Sequence, residues 1–126
     1  MDGHGPVLIV DDDPVICSAV GELFELTGHA VVTAGDGEEA LRRLREGLVP
    51  CLILLDVEMP LKDGINFRRE QLADPGLAAI PVVLHTSRSD AARIAAQLQA
   101  VAHVPKPVNF DTLLPLIAAH CYRRTV

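Results

Sequence analysis

An α/β domain built on a parallel sheet is predicted by three features of this 126-residue sequence. Short apolar runs alternate with longer amphipathic stretches, the pattern of successive βαβ units. Caps and turn residues separate those stretches. Polar side chains then follow the apolar runs, where the carboxyl ends of parallel strands would gather them along one edge. Val7-Leu8-Ile9-Val10 precedes Asp11 and Asp12, and Leu52-Ile53-Leu54-Leu55 precedes Asp56. Val82-Val83-Leu84 leads through His85 to Thr86, and Val101-Ala102-His103-Val104 reaches Lys106 after one proline.

Each element has its own local signal. Asp13 can cap a helix whose first position is Pro14, where a missing N–H costs nothing. Val15, Ala19, Leu23 and Leu26 recur at helical spacing, and Gly28 supplies the stop. Val31-Val32-Thr33 reads as a short second strand. Asp36 and Glu39 form a capping box for a helix carrying Ala40, Leu41 and Leu44 and ended by Gly47. Residues 51–55 are the third strand, followed by a loop with Pro60 and Gly64. A third helix is expected over 65–72, closed by Pro75 and Gly76. A fourth strand covers 80–84, and Ser89 or Asp90 caps a fourth helix running through Gln99. Residues 101–104 make the fifth strand. Asn109 or Asp111 starts a last helix through His120, which Pro115 either kinks or delays. No repeat, low-complexity tract or linker interrupts the pattern, so residues 1–126 are expected to form one domain with no room for a second.

Nearly half the residues are apolar, which predicts a real core. A net charge of −6 argues against a nucleic-acid surface. Cys17, Cys51 and Cys121 are odd in number and lie in apolar stretches, and we read all three as unpaired small hydrophobes in a reducing compartment. No apolar run approaches the ~18 residues of a membrane span. The start, Met1 to Pro6, lacks the basic residues and long apolar stretch of a signal peptide. A soluble, cytoplasmic location is therefore expected.

Three acids in one cleft are costly, because two carboxylates ~4 Å apart repel by about 4 kcal/mol at an effective dielectric of 20. Asp11, Asp12 and Asp56 would need a counter-charge, and their hard oxygen atoms select Mg²⁺, or Mn²⁺. The alternative for the Asp11–Asp13 triplet is a capping cluster that complements a helix dipole. Asp56, taken alone, is equally a turn former. Beside a cation it is also a nucleophile able to carry a phosphoryl group as an acyl phosphate. Thr86 would donate a hydrogen bond to that group, and Lys106 would pair with it as a point charge. Their alternatives are a strand residue and a solvated lysine before a turn proline. Lys106-Pro107 suits a cis bond in a tight turn.

Taken together, Asp11-Asp12, Asp56, Met59-Pro60, Asp63-Gly64, Ile80-Pro81 leading to Thr86, and Lys106-Pro107 resemble the receiver domain of two-component response regulators. The resemblance spans about residues 7–119. It implies a doubly wound, flavodoxin-like five-stranded parallel sheet, order 2-1-3-4-5, flanked by five helices. It further implies phosphorylation of Asp56 by a histidine kinase or histidine phosphotransfer protein, with Mg²⁺ held by Asp12, Asp56 and the Glu58 backbone carbonyl. Asp11 would join through water, while Thr86 and Lys106 would contact phosphate and the small Ser87 would leave access to it. Glu58 and Arg88 occupy positions that tune hydrolysis, and a Glu58–Arg88 pair across the mouth would slow the attacking water. Output through protein contacts is implied, and a phosphorylation-dependent homodimer is compatible with it.

Three departures stand out. His103 replaces the usual Tyr or Phe at the switch position, so its coupling is expected to be weaker or pH-sensitive unless it is simply a surface histidine. The stretch from Thr86 to Lys106 is about two residues short and lacks the customary Gly-Ala, predicting a short or irregular fourth helix. Val108 follows Lys106-Pro107 in place of the commoner Phe. Two other functions compete. A degenerate receiver would only bind proteins, although packing does not require the complete acidic triad. A haloacid dehalogenase-like phosphatase would use Asp11-Asp12-Asp13-Pro14-Val15 as its nucleophile motif, but it lacks a later acidic pair and leaves Asp56 unexplained.

Overall fold

Runs of consecutive apolar side chains have no polar face to turn to solvent, so they form strands covered on both sides in the middle of a sheet, while strands at its edges keep exposed side chains such as Thr33 and His103. In the computed structural model, which describes residues 4–122, those strands are β1 (Val7–Val10), β2 (Val31–Ala34), β3 (Leu52–Leu55), β4 (Val82–Thr86) and β5 (Ala102–Pro105). All pair in parallel in the order β2-β1-β3-β4-β5. The helices between and after them are α1 (Pro14–Leu26), α2 (Gly37–Arg45), α3 (Gly64–Ala73), α4 (Ala91–Gln97) and α5 (Phe110–His120). Met1, Asp2 and Gly3, part of the start read for a signal peptide, lie outside the described residues.

Strand alternation sends successive side chains to opposite layers. Leu8, Val10, Ile53, Leu55, Val82 and Leu84 pack with Leu41, Leu44, Phe67 and Ile94 of α2, α3 and α4. Val7, Ile9, Leu52, Leu54, Val83 and Val104 pack with Val20, Phe24, Leu113 and Ile117 of α1 and α5. Phe24 and Phe67 are fully buried, and each contributes about 1.5–3 kcal/mol by leaving water. The doubly wound fold and its strand order therefore agree with expectation. No helix among the described residues is long and apolar enough to cross a membrane.

Local signals for the ends of α1, α2 and α5 hold, whereas the expected cap of α4 does not form: Asp90 stands at its N-cap without a side-chain capping bond, because its carboxylate is engaged by Arg88 and Arg93. Asp13 accepts from the Val15 N–H, Asp36 from Glu39 and Asn109 from Asp111, each at an N-cap. Gly28 follows α1 with φ 91°, a left-handed value that glycine adopts without Cβ strain. Pro115 lies inside α5.

Two readings of the sequence are corrected. The buried residues of α1 are Val20, Gly21 and Phe24, whereas Val15 and Leu26 are exposed. This helix is apolar on several sides, so its periodicity alone did not select the face. Cys51 and Cys121 form a disulfide, and Cys17 alone is a free thiol. The start of β3 and the end of α5 lie 70 residues apart in sequence but converge at the amino edge of the sheet, with Cα atoms 5.4 Å apart. In the chain-entropy account, closing a loop of that length stabilises the fold by about 4 kcal/mol.

Candidate functional site

Parallel pairing in register brings the acids together. Val10 of β1 lies opposite Leu55 of β3, so Asp11 and Asp56 leave adjacent strands side by side. The Asp56 N–H donates to the Val10 carbonyl at 2.9 Å. Oxygen atoms of Asp11, Asp12 and Asp56 all lie within 4.8 Å of one another. On the far side, the Lys106 N–H donates to the Thr86 carbonyl at 3.2 Å, prolonging the β4–β5 ladder to the cis Lys106-Pro107 bond. The Lys106 ammonium then reaches 3.0 Å from Asp11 Oδ2 and 3.3 Å from Asp56 Oδ1. A cavity of about 230 Å³ opens beside them, lined by Asp12, Asp56, Glu58, Thr86, Ser87 and Lys106.

Burial shapes the charges. Asp11, Asp56 and Thr86 are almost wholly covered, whereas Asp12 and Ser87 are exposed. Asp56 is pushed above the usual carboxylate range, first by burial and then by the Asp11 charge, with Lys106 only partly offsetting both. Burial works against the charged form of Lys106, but its hydrogen bond to Asp11 and the charges of Asp56 and Asp11 outweigh this, holding it above its ordinary value. The ion pair is thus unbalanced: one ammonium serves two carboxylates, and the site has an excess of anion. Three oxygen-bearing acids within reach of each other, short of positive charge, are a donor set that fits a hard divalent cation.

The other expected residues fall around this centre. Asp56 Oδ1 accepts from the Glu58 N–H at 3.4 Å. Thr86 Oγ1 accepts from the Arg88 N–H at 3.1 Å. Arg88 reaches Glu58 at 3.5 Å, but its closer partner is Asp90, contacted at 2.9 and 3.0 Å. Asp13 serves as the α1 cap. His103 is exposed on β5, opposite Leu84 and short of the Thr86 level.

Sequence reasoning passed over two groups. His85, between Leu84 and Thr86, is 1% exposed, and neither ring nitrogen has a hydrogen-bond partner among the described residues. Burial, and secondarily the Lys106 charge, pushes its imidazole from 6.5 down to about 4, so it is neutral near pH 7. The visible signal was a histidine inside an apolar strand run. The second group is Arg68 with Gln71, buried on α3 behind the site. Both share the inward stripe of α3 with Gly64 and Phe67, but their polar side chains masked it in the sequence.

Comparison with known proteins agrees with this architecture. The family model described as the response regulator receiver domain matches residues 7–118. The transcriptional regulatory protein CpxR of Escherichia coli is 38% identical over 115 residues, 90% of this chain and 47% of that protein. The transcriptional regulatory protein PdtaR of Mycobacterium tuberculosis is 36% identical over 112 residues, 88% of this chain and 54% of that protein. The chain thus spans about half the length of these curated relatives. The chemotaxis response regulator CheY4 of Vibrio cholerae superposes with a TM-score of 0.82 at 27% identity, covering 93% of this chain and 98% of that one. With sheet order, acidic edge and family match all in accord, the chain belongs to the receiver domains of response regulators, the signalling modules of two-component systems.

Proposed function

We propose that this receiver domain is a phosphoacceptor switch in which Asp56 takes a phosphoryl group from the phosphohistidine of a histidine kinase or phosphotransfer protein. The observation that carries the reading is the meeting of Asp11, Asp12 and Asp56 within 4.8 Å, with the Lys106 ammonium between two of them. Both oxygens of Asp11 are already engaged, Oδ1 by the Asp13 N–H and Oδ2 by Lys106. That supports Asp56 over Asp11 as nucleophile and weighs against the dehalogenase-like alternative.

In this reading, Asp12, Asp56 and the Glu58 carbonyl, with Asp11 through water, would hold Mg²⁺, with Mn²⁺ as a substitute. The ion would supply neutralisation of charge on the phosphoryl oxygens. Asp56 attacks phosphorus with one carboxylate oxygen. The bond from phosphorus to the donor nitrogen breaks, its electron pair stays on the departing imidazole, and an acyl phosphate remains. Lys106 moves from its carboxylate partners toward the new phosphoryl charge. Thr86 turns its hydroxyl to donate to a phosphoryl oxygen, and exposed Ser87 leaves the mouth open. Water attack at phosphorus later breaks its bond to the Asp56 oxygen, releasing inorganic phosphate and returning the free carboxylate. Signalling then proceeds by contact with another protein.

Incubation with acetyl phosphate and Mg²⁺, read by intact mass, tests this. The parent gains one phosphoryl mass and loses it on standing, and Asp56→Asn gains none. A parent of unchanged mass refutes the proposal.

A further inference from the structure

A buried arginine without a carboxylate partner is costly, so its acceptors must be supplied by neutral groups already fixed in place. Arg68 of α3 is 3% exposed, and each arm of its guanidinium is bonded. Nε donates to the Leu98 carbonyl at 3.0 Å and Nη2 to the Gln99 carbonyl at 3.1 Å. Nη1 donates to Gln71 Oε1 at 2.8 Å and to the Ile80 carbonyl at 3.2 Å. Gln71 in turn donates to the carbonyls of Leu77 and Ile80. One side chain therefore joins α3 to the entry of β4 and to the exit of α4.

The α4 helix has little local support of its own. The helix has seven residues, and its N-cap residue Asp90 makes no side-chain capping bond. A helix so short is not stable on its own, and contacts from elsewhere must set its position. Gln99 sits at φ 55°, a left-handed value usually left to glycine. The Arg68 fork closes on the carbonyls of this turn, capping from a different helix an end that carries no glycine.

The other end of α3 rests on the phosphoacceptor loop. The Gly64 N–H donates to the Val57 carbonyl at 2.8 Å, and a Cβ at position 64 would lie 2.3 Å from the Asp56 carbonyl oxygen. Arg68 follows one helical turn later, a rise of about 6 Å. Movement of the Asp56–Val57 backbone thus meets a rigid turn of helix whose next inward side chain grips α4.

We propose that Arg68 is a positioning residue that couples the Asp56 loop to α4 through α3. The inference rests on the phosphoacceptor reading above. Its test is amide hydrogen exchange of the full chain with and without Mg²⁺ and beryllofluoride. In the parent, exchange of the Ile94, Leu98 and Ala100 amides changes by roughly 2- to 30-fold when beryllofluoride binds. In Arg68→Met, that change falls below about twofold while the Asp56 amide shift still saturates at the same beryllofluoride concentration. Arg68→Lys, which keeps charge but not the fork, gives an intermediate response and decides the matter if Arg68→Met does not fold. A merely structural role would raise exchange in β1 and β3 as well and leave the ligand-dependent difference at α4 intact. That outcome overturns the inference. Absence of any Asp56 shift in the parent instead removes the phosphoacceptor reading beneath it.

Discussion

Lys106 and Arg68 are both covered cations, yet they are held in opposite ways. Lys106 sits in a cavity between carboxylates that outnumber it, a point charge on a flexible stem whose partners are themselves short of positive charge. Arg68 is surrounded by carbonyl and amide oxygens, with its planar fork matched arm by arm. The first arrangement leaves the ammonium free to change partners when a new anion arrives. The second has no competing partner and holds helices at fixed spacing. Lysine suits the moving role and arginine the fixed one. A signalling domain needs both: a group that responds to charge, and a linkage stiff enough to carry the response.

The largest effect is expected at Arg68. Arg68→Met strands several buried acceptors, and unfolding in urea should show a loss of about 3–5 kcal/mol. That loss is expected to be the same with Mg²⁺ or with chelator, and phosphoryl uptake should stay within about twofold of the parent.

His85 sharpens the Lys106 half, because the imidazole lies within its field. The folded-state value of about 4 lies below the ordinary 6.5, so the folded chain binds fewer protons than the unfolded chain between those pH values. Stability should fall by about 3 kcal/mol as pH drops from 6.5 toward 4. His85→Val should abolish that part of the slope in urea titrations at pH 7 and 4.5. Asp56 acts with the opposite sign. Its carboxyl is raised, so the cost of keeping it ionised is relieved as pH falls.

Lys106→Met should slow phosphoryl uptake from acetyl phosphate by ~10²-fold, the usual effect of losing one charge-stabilising donor. Unlike Arg68→Met, it should make stability depend more steeply on Mg²⁺, because the acids lose their resident cation. Thermal melts with and without chelator check this. The smallest effect is expected at the cavity mouth. Glu58→Ala removes the 3.5 Å contact with Arg88, and the acyl phosphate should decay about 3-fold faster, a modest change because a surface pair is weak. Intact mass followed over time reads it, and decay no faster than the parent's would dismiss the Glu58–Arg88 barrier to water.

The elements were legible in the sequence because their signals are short-range. Capping by Asp13, Asp36 and Asn109 needs only the next two or three residues. Strands buried on both faces show as unbroken apolar runs. The acidic site was legible for a related reason: each acid sits at the end of such a run, and parallel strands gather their carboxyl ends at one edge. The face of α1 was not, because Val15 and Leu26 are as apolar as Val20 and Phe24 and only packing chose between them. The Arg68–Gln71 pair stayed hidden because polar residues on the inward stripe of α3 read as surface until their carbonyl partners, 6 to 31 residues away, are known.

By itself, then, the sequence determined which segments become strands and helices and which strand ends carry charge, since hydrogen bonding within a turn and side-chain alternation act over a few residues. Tertiary structure alone decided that Cys51 meets Cys121, that Lys106 bridges Asp11 and Asp56, and that Arg68 caps a helix it does not belong to. Those contacts depend on distances in space. Sheet order and helix packing fix such distances only when the whole chain has closed around its core.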